Sequence, residues 1–227
     1  MTQTTHLGLH RHGSDRPAMP SPTSVPSATA KRILDVAERL VQTQGFNGFS
    51  YADISAVLGI TKASLHYHFR TKAQLGLSLI RRYQHNFLEA LAAIDAARID
   101  QRQKLRRYAQ IYSDVLRKDR MCLCGMLAAD YATLPKPMKD SVTAFFDANE
   151  SWLENVLEEG RKARALHFEG SAAEEARLLL ASLEGAMLVA RSYDDVDRFE
   201  AMAERALAVI SGRAAGTDDM TAERKHP

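Results

Sequence analysis

Residues 28–134 contain no proline, and their apolar side chains recur at helical rather than alternating spacing. A proline inside a helix removes a backbone donor and clashes with the preceding turn. A stretch this long without one, and with few β-branched clusters, is free to run as helix throughout. The first helix is expected over residues 29–44, with Thr29 as N-cap and Ile33, Leu34, Ala37, Leu40 and Val41 on its buried face. Gly45 ends it, and Phe46 and Phe49 flank a short loop whose rings plug the core below.

The next segments are shorter and more sharply punctuated. Ser50 reads as the cap of a second helix, with Asp53 three residues on as in a capping box, and with Ile54 and Val57 facing inward. Gly59 stops that helix at a sharp turn. Thr61 caps a third over residues 62–68, anchored by Leu65 and Phe69. Thr71 opens a longer fourth helix, on which Leu75, Leu79, Tyr83 and Phe87 share one stripe. Further helices are expected over 100–117, 121–132, 138–163, 172–192 and 196–211, with a break around Pro135 and Pro137. With no strand pattern, the fold class is all-α, about nine helices. Residues 1–28 and 213–227 read as polar, disordered tails. His6, His10 and His12 fall in the first tail, a poor setting for a metal. The body divides into a helix-turn-helix domain (29–75) and a helical ligand-binding and dimerisation domain (76–212).

Three short helices with a glycine turn between the second and third form a tri-helical helix-turn-helix. In such a unit the second helix braces the third, and the third enters the DNA major groove. Lys62 can donate to guanine or phosphate, Ala63 can meet a thymine methyl, and Ser64 is permissive. His66, Tyr67 and His68 can reach bases or phosphate oxygens, with packing as the alternative for Tyr67. Lys72 stands in the first turn of the next helix, where a phosphate would meet both its charge and backbone amides. Charge follows the same division. Residues 28–88 carry eight basic side chains against three acidic ones, while the chain from Glu89 onward is net acidic.

The run Ile33-Leu34-Asp35-Val36-Ala37, then Gly45-Phe46, Ser50, Ile54, Leu58-Gly59-Ile60-Thr61-Lys62-Ala63-Ser64-Leu65-His66-Tyr67-His68-Phe69-Arg70-Thr71-Lys72 and Leu75 resembles the N-terminal signature of the TetR/AcrR family of transcriptional regulators. One departure is His66, where the family often has tyrosine. The resemblance implies base reading by Lys62, Ala63, Ser64, His66 and Tyr67, and phosphate contacts from Ser50, Tyr51, His68 and Lys72, with Thr61 capping the reading helix. It also implies a divergent C-terminal domain that binds a small effector and forms a homodimer. The partners expected are therefore a near-palindromic double-stranded DNA operator, a small-molecule effector and a second copy of the chain.

The second domain specifies less. The apolar run 178–190 is too apolar for one face to be solvated, and Ala181, Gly185 and Ala186 allow close helix approach. With Leu188, Phe199, Met202 and Leu207 it is a candidate four-helix dimer interface, although a helix buried within one protomer would read alike. Tyr108, Tyr112, Met121, Cys122, Met126, Tyr131, Phe145, Phe146 and Trp152 are candidate effector-pocket residues, and each also suits ordinary core. Cys122 and Cys124, two apart on an expected helix, would point to opposite sides and would not chelate one metal. Beside Arg117, Lys118 and Arg120 a thiol can be acidified, which leaves open release by oxidation or alkylation, as well as plain packing. Control by a protein partner is a further alternative. The sequence shows no nucleophile–base pair, phosphate loop or nucleotide fingerprint. It therefore reads as a non-enzyme without cofactor or metal. With neither an apolar leader nor a membrane span, the expected location is cytoplasmic.

Overall fold

The computed structural model describes residues 27–212. The expected disorder of residues 1–26 and 213–227 lies outside those residues. The described residues hold nine α-helices and no strand. In chain order these are α1 (Ala28–Gln44), α2 (Tyr51–Leu58), α3 (Lys62–His68), α4 (Lys72–Ala96), α5 (Gln101–Leu116), α6 (Leu123–Ala129), α7 (Lys136–Lys162), α8 (Ala172–Ser192) and α9 (Val196–Ile210).

Local chemistry sets most helix ends. Ser27 rather than Thr29 caps α1, its hydroxyl accepting from the Ala30 amide. Ser50, Asp100 and Ser171 each form a complete capping box, satisfying amides that have no partner inside the helix. The expected break falls at Leu134 and Pro135, and α7 starts at Lys136, two residues earlier than expected, so both prolines belong to its beginning. They sit at its N-cap and first turn, where the missing N–H is no loss. The helix expected over 121–132 is shorter than anticipated. Cys122 caps it, and after Ala129 the chain tightens into a 3-10 turn at Tyr131–Thr133.

α1, α2 and α3 form the small N-terminal unit, with Ile33, Ala37, Val41, Ile54 and Leu65 fully buried at its centre. α4 passes from this unit into the second domain without a break, so residues 75 and 76 lie in one rigid helix. Beyond it α7 and α8 pack together, α9 lies on α8, and α5 touches α7, α8 and α9. α6 is wedged among α1, α4 and α7.

The core of the second domain is built on aromatic rings. Phe87 meets Tyr108, Tyr112 and Phe145 edge-on at 6.1, 6.1 and 5.2 Å. Trp152 stacks on Tyr108 at 5.4 Å. The buried phenols are not left unpaired: the Tyr108 and Tyr112 hydroxyls lie 3.0 Å apart, and Tyr108 donates to Asn149 Oδ1 at 3.0 Å. Asn149 in turn donates to the Phe145 carbonyl at 2.8 Å. Each bond offsets a desolvation cost of about 1–3 kcal/mol for a buried polar group.

Candidate nucleic-acid interface

The sharp turn between α2 and α3 depends on Gly59, whose φ of 65° lies in the left-handed region. A side chain there would meet no neighbour, so the requirement is purely conformational. Thr61 Oγ1 then accepts from the Ser64 amide at 3.1 Å and starts α3. Leu65 is the buried residue of that helix, with Phe69 buried at its C-cap. Val57 departs from expectation. It is 52 % exposed, and Ile54 is the one fully buried residue of α2, with Tyr51 and Leu58 partly buried beside it.

The outer face of α3 carries Lys62, Ala63, His66 and Tyr67, all exposed, with Ser64 and His68 half-buried. Tyr67 is 84 % exposed, which removes the packing alternative for it. Its ring meets only His68, edge-on at 5.2 Å. An aromatic held in water gains nothing from burial within the chain, so Tyr67 is available to a partner.

Three of the expected phosphate ligands are occupied within the domain. The Ser50 hydroxyl donates to Asp53 and accepts from the Ala52 amide as part of its cap. The Tyr51 hydroxyl donates to the Phe69 carbonyl at 2.8 Å, bracing α2 against the end of α3, and burial pushes its pKa up to about 12. The Tyr51 ring lies 4.8 Å from that of His66, whose Nδ1 is 3.1 Å from the Arg70 carbonyl oxygen. Lys72 departs most from the outward pose expected of a phosphate ligand. Its ammonium does not stand out toward solvent but turns inward, donating to the Phe49 carbonyl and lying 4.2 Å over the Phe49 ring and 4.8 Å over Phe46. Burial lowers its pKa, and the nearby Asp130 and Asp53 carboxylates oppose that shift.

Asp130 itself had no sequence signal. It follows α6, yet its carboxylate accepts from the Phe46 amide at 2.7 Å, the Asn47 amide at 3.3 Å and the Asn47 side chain at 3.1 Å. Asn47 also donates to Thr133 at 2.8 Å, and the Met121 amide donates to the Gln42 carbonyl at 3.1 Å. The last turn of α1 and the loop after it are therefore held by the two flanks of α6, Met121 on Gln42 and Asp130 on Phe46 and Asn47. On the other flank Arg82 of α4 bridges Asp35 and Glu38 of α1 at 2.7 and 2.6 Å.

The expected effector residues sit differently from one another. Tyr108, Tyr112, Met121, Cys122 and Phe145 are buried core, while Met126 and Trp152 are half-buried beside it. Tyr131 is 49 % exposed, with the Lys139 ammonium 4.7 Å over its ring, so it faces solvent rather than an interior. Hollows of about 370 Å³ between α5 and α9 and about 580 Å³ between α4 and α5 are lined by none of these residues. Acidified thiols, one of the alternatives the sequence left open, find no support in their surroundings. Burial pushes both cysteine thiols well above their ordinary value, and Glu184 pushes the same way. Cys122 Sγ accepts from the Gly125 amide at 3.4 Å as the cap of α6.

On α8 and α9 the exposed apolar side chains are Leu178, Leu188 (63 % exposed), Val189, Met202 and Val209, with Ala181 and Gly185 exposed in the same α8 stripe. A β-carbon at Gly185 would meet nothing within its own protomer. Phe199 and Leu207, expected at the dimer interface, instead point into the protomer's core. Among the described residues no group of three or more His, Cys, Asp or Glu could hold a metal ion, and no helix is long and apolar enough to cross a membrane.

Comparison with known proteins gives a consistent result. Residues 33–79 match the family of bacterial regulatory proteins described as the tetR family, and residues 102–207 match the tetracyclin repressor-like C-terminal domain. A TetR-family transcriptional regulator from Agrobacterium tumefaciens superposes with a TM-score of 0.79 at 33 % identity, covering 82 % of this chain and 100 % of its own. A TetR regulator from Legionella pneumophila gives 0.74 at 31 %, covering 81 % and 98 %. The HTH-type transcriptional repressor NemR of Escherichia coli K12 is 23 % identical over 176 residues, covering 74 % of this chain and 88 % of NemR. With its helix-turn-helix, its all-helical second domain and these matches, the chain belongs to the TetR family of transcriptional regulators.

Proposed function

We propose that this regulator is a repressor that binds a near-palindromic operator as a homodimer and leaves it when a small molecule binds the second domain. The observation that carries DNA reading is the outer face of α3, where Lys62, Ala63, His66 and the 84 % exposed Tyr67 project from a helix braced on its inner side. Ser64 and His68 lie at its margins, and Thr61 fixes its start. In this reading Ser50, Tyr51 and Lys72 act mainly by holding α2, α3 and the Phe46–Phe49 loop in register, and their backbone neighbourhood meets phosphate. The unpartnered stripe of α8 and α9, with Ala181, Gly185, Leu188 and Met202, supports dimerisation. Two copies would set their α3 helices on half-sites about 34–36 Å apart or somewhat more.

Release requires an effector that favours a conformation with mismatched α3 spacing, a coupling of typically about 1–3 kcal/mol. The clasp between α6 and the α1–α2 loop is a physical route for it. Release by oxidation or alkylation of Cys122 or Cys124 is less well supported, because both thiols are buried and held protonated.

The test is a gel shift on promoter DNA beside the chain's own gene, with light scattering to report the oligomer. A two-fold footprint that Tyr67→Ala weakens at least tenfold is the expected result. Failure to shift that DNA, or an intact footprint from a monomer, would reject the reading.

A further inference from the structure

His66 is exposed on the outer face of α3, yet its ring is held from two sides. The ring centroid lies 4.8 Å from that of Tyr51 on α2, and Tyr51 is itself fixed by its bond to the Phe69 carbonyl. Nδ1 stands 3.1 Å from the Arg70 carbonyl oxygen. That oxygen lies just past the end of α3, where carbonyls are left without a helical partner. Among the described residues the imidazole is its hydrogen-bond partner. A carbonyl oxygen only accepts, so the proton of the neutral ring sits on Nδ1. Nε2 is then a bare acceptor, and none of the described residues bonds to it.

Lys62 stands one helical turn earlier on the same face of α3 and is also exposed. The two side chains present opposite chemistry, since Lys62 only donates and the outer nitrogen of His66 only accepts. Phosphate oxygens are acceptors, as are the major-groove N7 and O6 of guanine and O4 of thymine. None of these can bond to Nε2. The major groove offers two donors, the N6 amine of adenine and the N4 amine of cytosine. We infer that His66 reads an exocyclic base amine through Nε2 and is a specificity-determining residue, which rests on the reading of α3 as the operator-binding helix. A tyrosine hydroxyl at this position both donates and accepts, and so tolerates either kind of base edge. The tied imidazole does not, because a guanine or thymine oxygen would face it lone pair to lone pair. Tyr51 and Arg70 set the ring before DNA arrives, so little ordering is left for the moment of binding.

The experiment uses the full-length protein at pH 8, on the alkaline side of ordinary imidazole titration. A long-range proton–nitrogen correlation spectrum, with the His66 signals assigned by their loss in His66→Ala, reads the tautomer. The expected result is a protonated Nδ1 and a bare Nε2, and a protonated Nε2 would overturn the proposal. Binding sites are then selected from a randomised DNA duplex by wild type and by His66→Ala. Wild type enriches one base pair in each half-site that His66→Ala leaves random, and both proteins select the same bases elsewhere. Replacing the adenine of that pair by purine, or its cytosine by 2-pyrimidinone, deletes the amine alone. This weakens wild type about tenfold and leaves His66→Ala unaffected. Replacing the purine base of the pair by its 7-deaza analogue, which removes the N7 acceptor, leaves both unaffected. Sensitivity to loss of N7 instead of the amine would make His66 a donor. Equal weakening of His66→Ala on all sequences, with a flatter salt dependence, would make it a phosphate contact. Either result overturns the proposal. A melting curve shows whether His66→Ala is folded; if it is not, His66→Phe, which keeps a ring against Tyr51 without either nitrogen, takes its place. If wild type enriches a two-fold site whose composition does not depend on His66, operator binding stands and the His66 reading falls. If no sequence is enriched, operator binding falls and takes the His66 reading with it.

Discussion

α3 and α6 are both seven residues long and both start on a side-chain cap, yet they are used in opposite ways. α3 begins on the Thr61 hydroxyl, buries only Leu65 and shows most of its surface to water. α6 begins on the weaker Cys122 thiol, buries Leu123, Cys124 and Leu127, and has Glu184 at one end and the Asp130 clasp at the other. Helices this short are not stable alone. α3 is held by its neighbours so that its outer residues can be spent on a partner. α6 is held so that it touches both domains. Substitutions on α3 should therefore alter what the protein binds, and substitutions on α6 should alter how the protein stands.

The largest expected effect is on α6. Leu123→Ala and Leu127→Ala each lose about 2–5 kcal/mol of stability in urea unfolding, whereas Tyr67→Ala on α3 stays within about 0.5 kcal/mol and lowers operator affinity at least tenfold. A Tyr67→Ala variant as unstable as the leucine variants would break the contrast. Next comes the clasp. Asp130→Ala leaves the Phe46 and Asn47 amides without their acceptor and costs about 1–3 kcal/mol, with operator affinity changed although no DNA-facing residue is touched. A variant with unchanged stability and affinity would show that the clasp carries no coupling. Gly59→Ala forces a left-handed backbone on alanine and costs about 1–2 kcal/mol; a neutral result would mean that the turn relaxes.

A pH effect follows from Glu184. Its folded pKa lies above the ordinary 4.5, near 7. The folded state thus holds a proton that the unfolded state releases first, and the stability this confers is complete below about pH 4.5 and lost as pH rises through 7. Glu184→Gln removes that part of the slope in melting curves, and an unchanged slope would assign it elsewhere. The smallest effect concerns the thiols. Cys122 and Cys124 in the native chain should react with iodoacetamide far more slowly at pH 8 than after denaturation, measured by mass spectrometry. Comparable rates would mean that α6 opens readily.

The all-α class, the helix-turn-helix and the limits of α3 and α8 were legible in the sequence, because caps, glycines and 3.6-residue periodicity act locally. The outer face of α3 was legible for the same reason, since Leu65 and Phe69 fix which side is inward. The inward pose of Lys72 was not legible because it depends on Phe46 and Phe49, more than twenty positions away. Phe199 and Leu207 share an apolar helix with Met202, and periodicity alone cannot say which side meets its own core and which a second copy. Asp130 and Glu184 left no trace, because what distinguishes them is the loop or glycine that another part of the chain places against them.

The unbroken run of α4 from Lys72 to Ala96 turns that helix into a lever. At 1.5 Å per residue its length is about 37 Å, close to one turn of DNA. Its N-terminal end follows α3 directly, and its far end lies among the rings of the second domain. Pivoting it by about 5° about the far end swings the near end by about 3 Å, nearly the rise between neighbouring base pairs in B-form DNA. A displacement too small to unpack the core is thus large enough to put a reading helix one step out of register with its half-site.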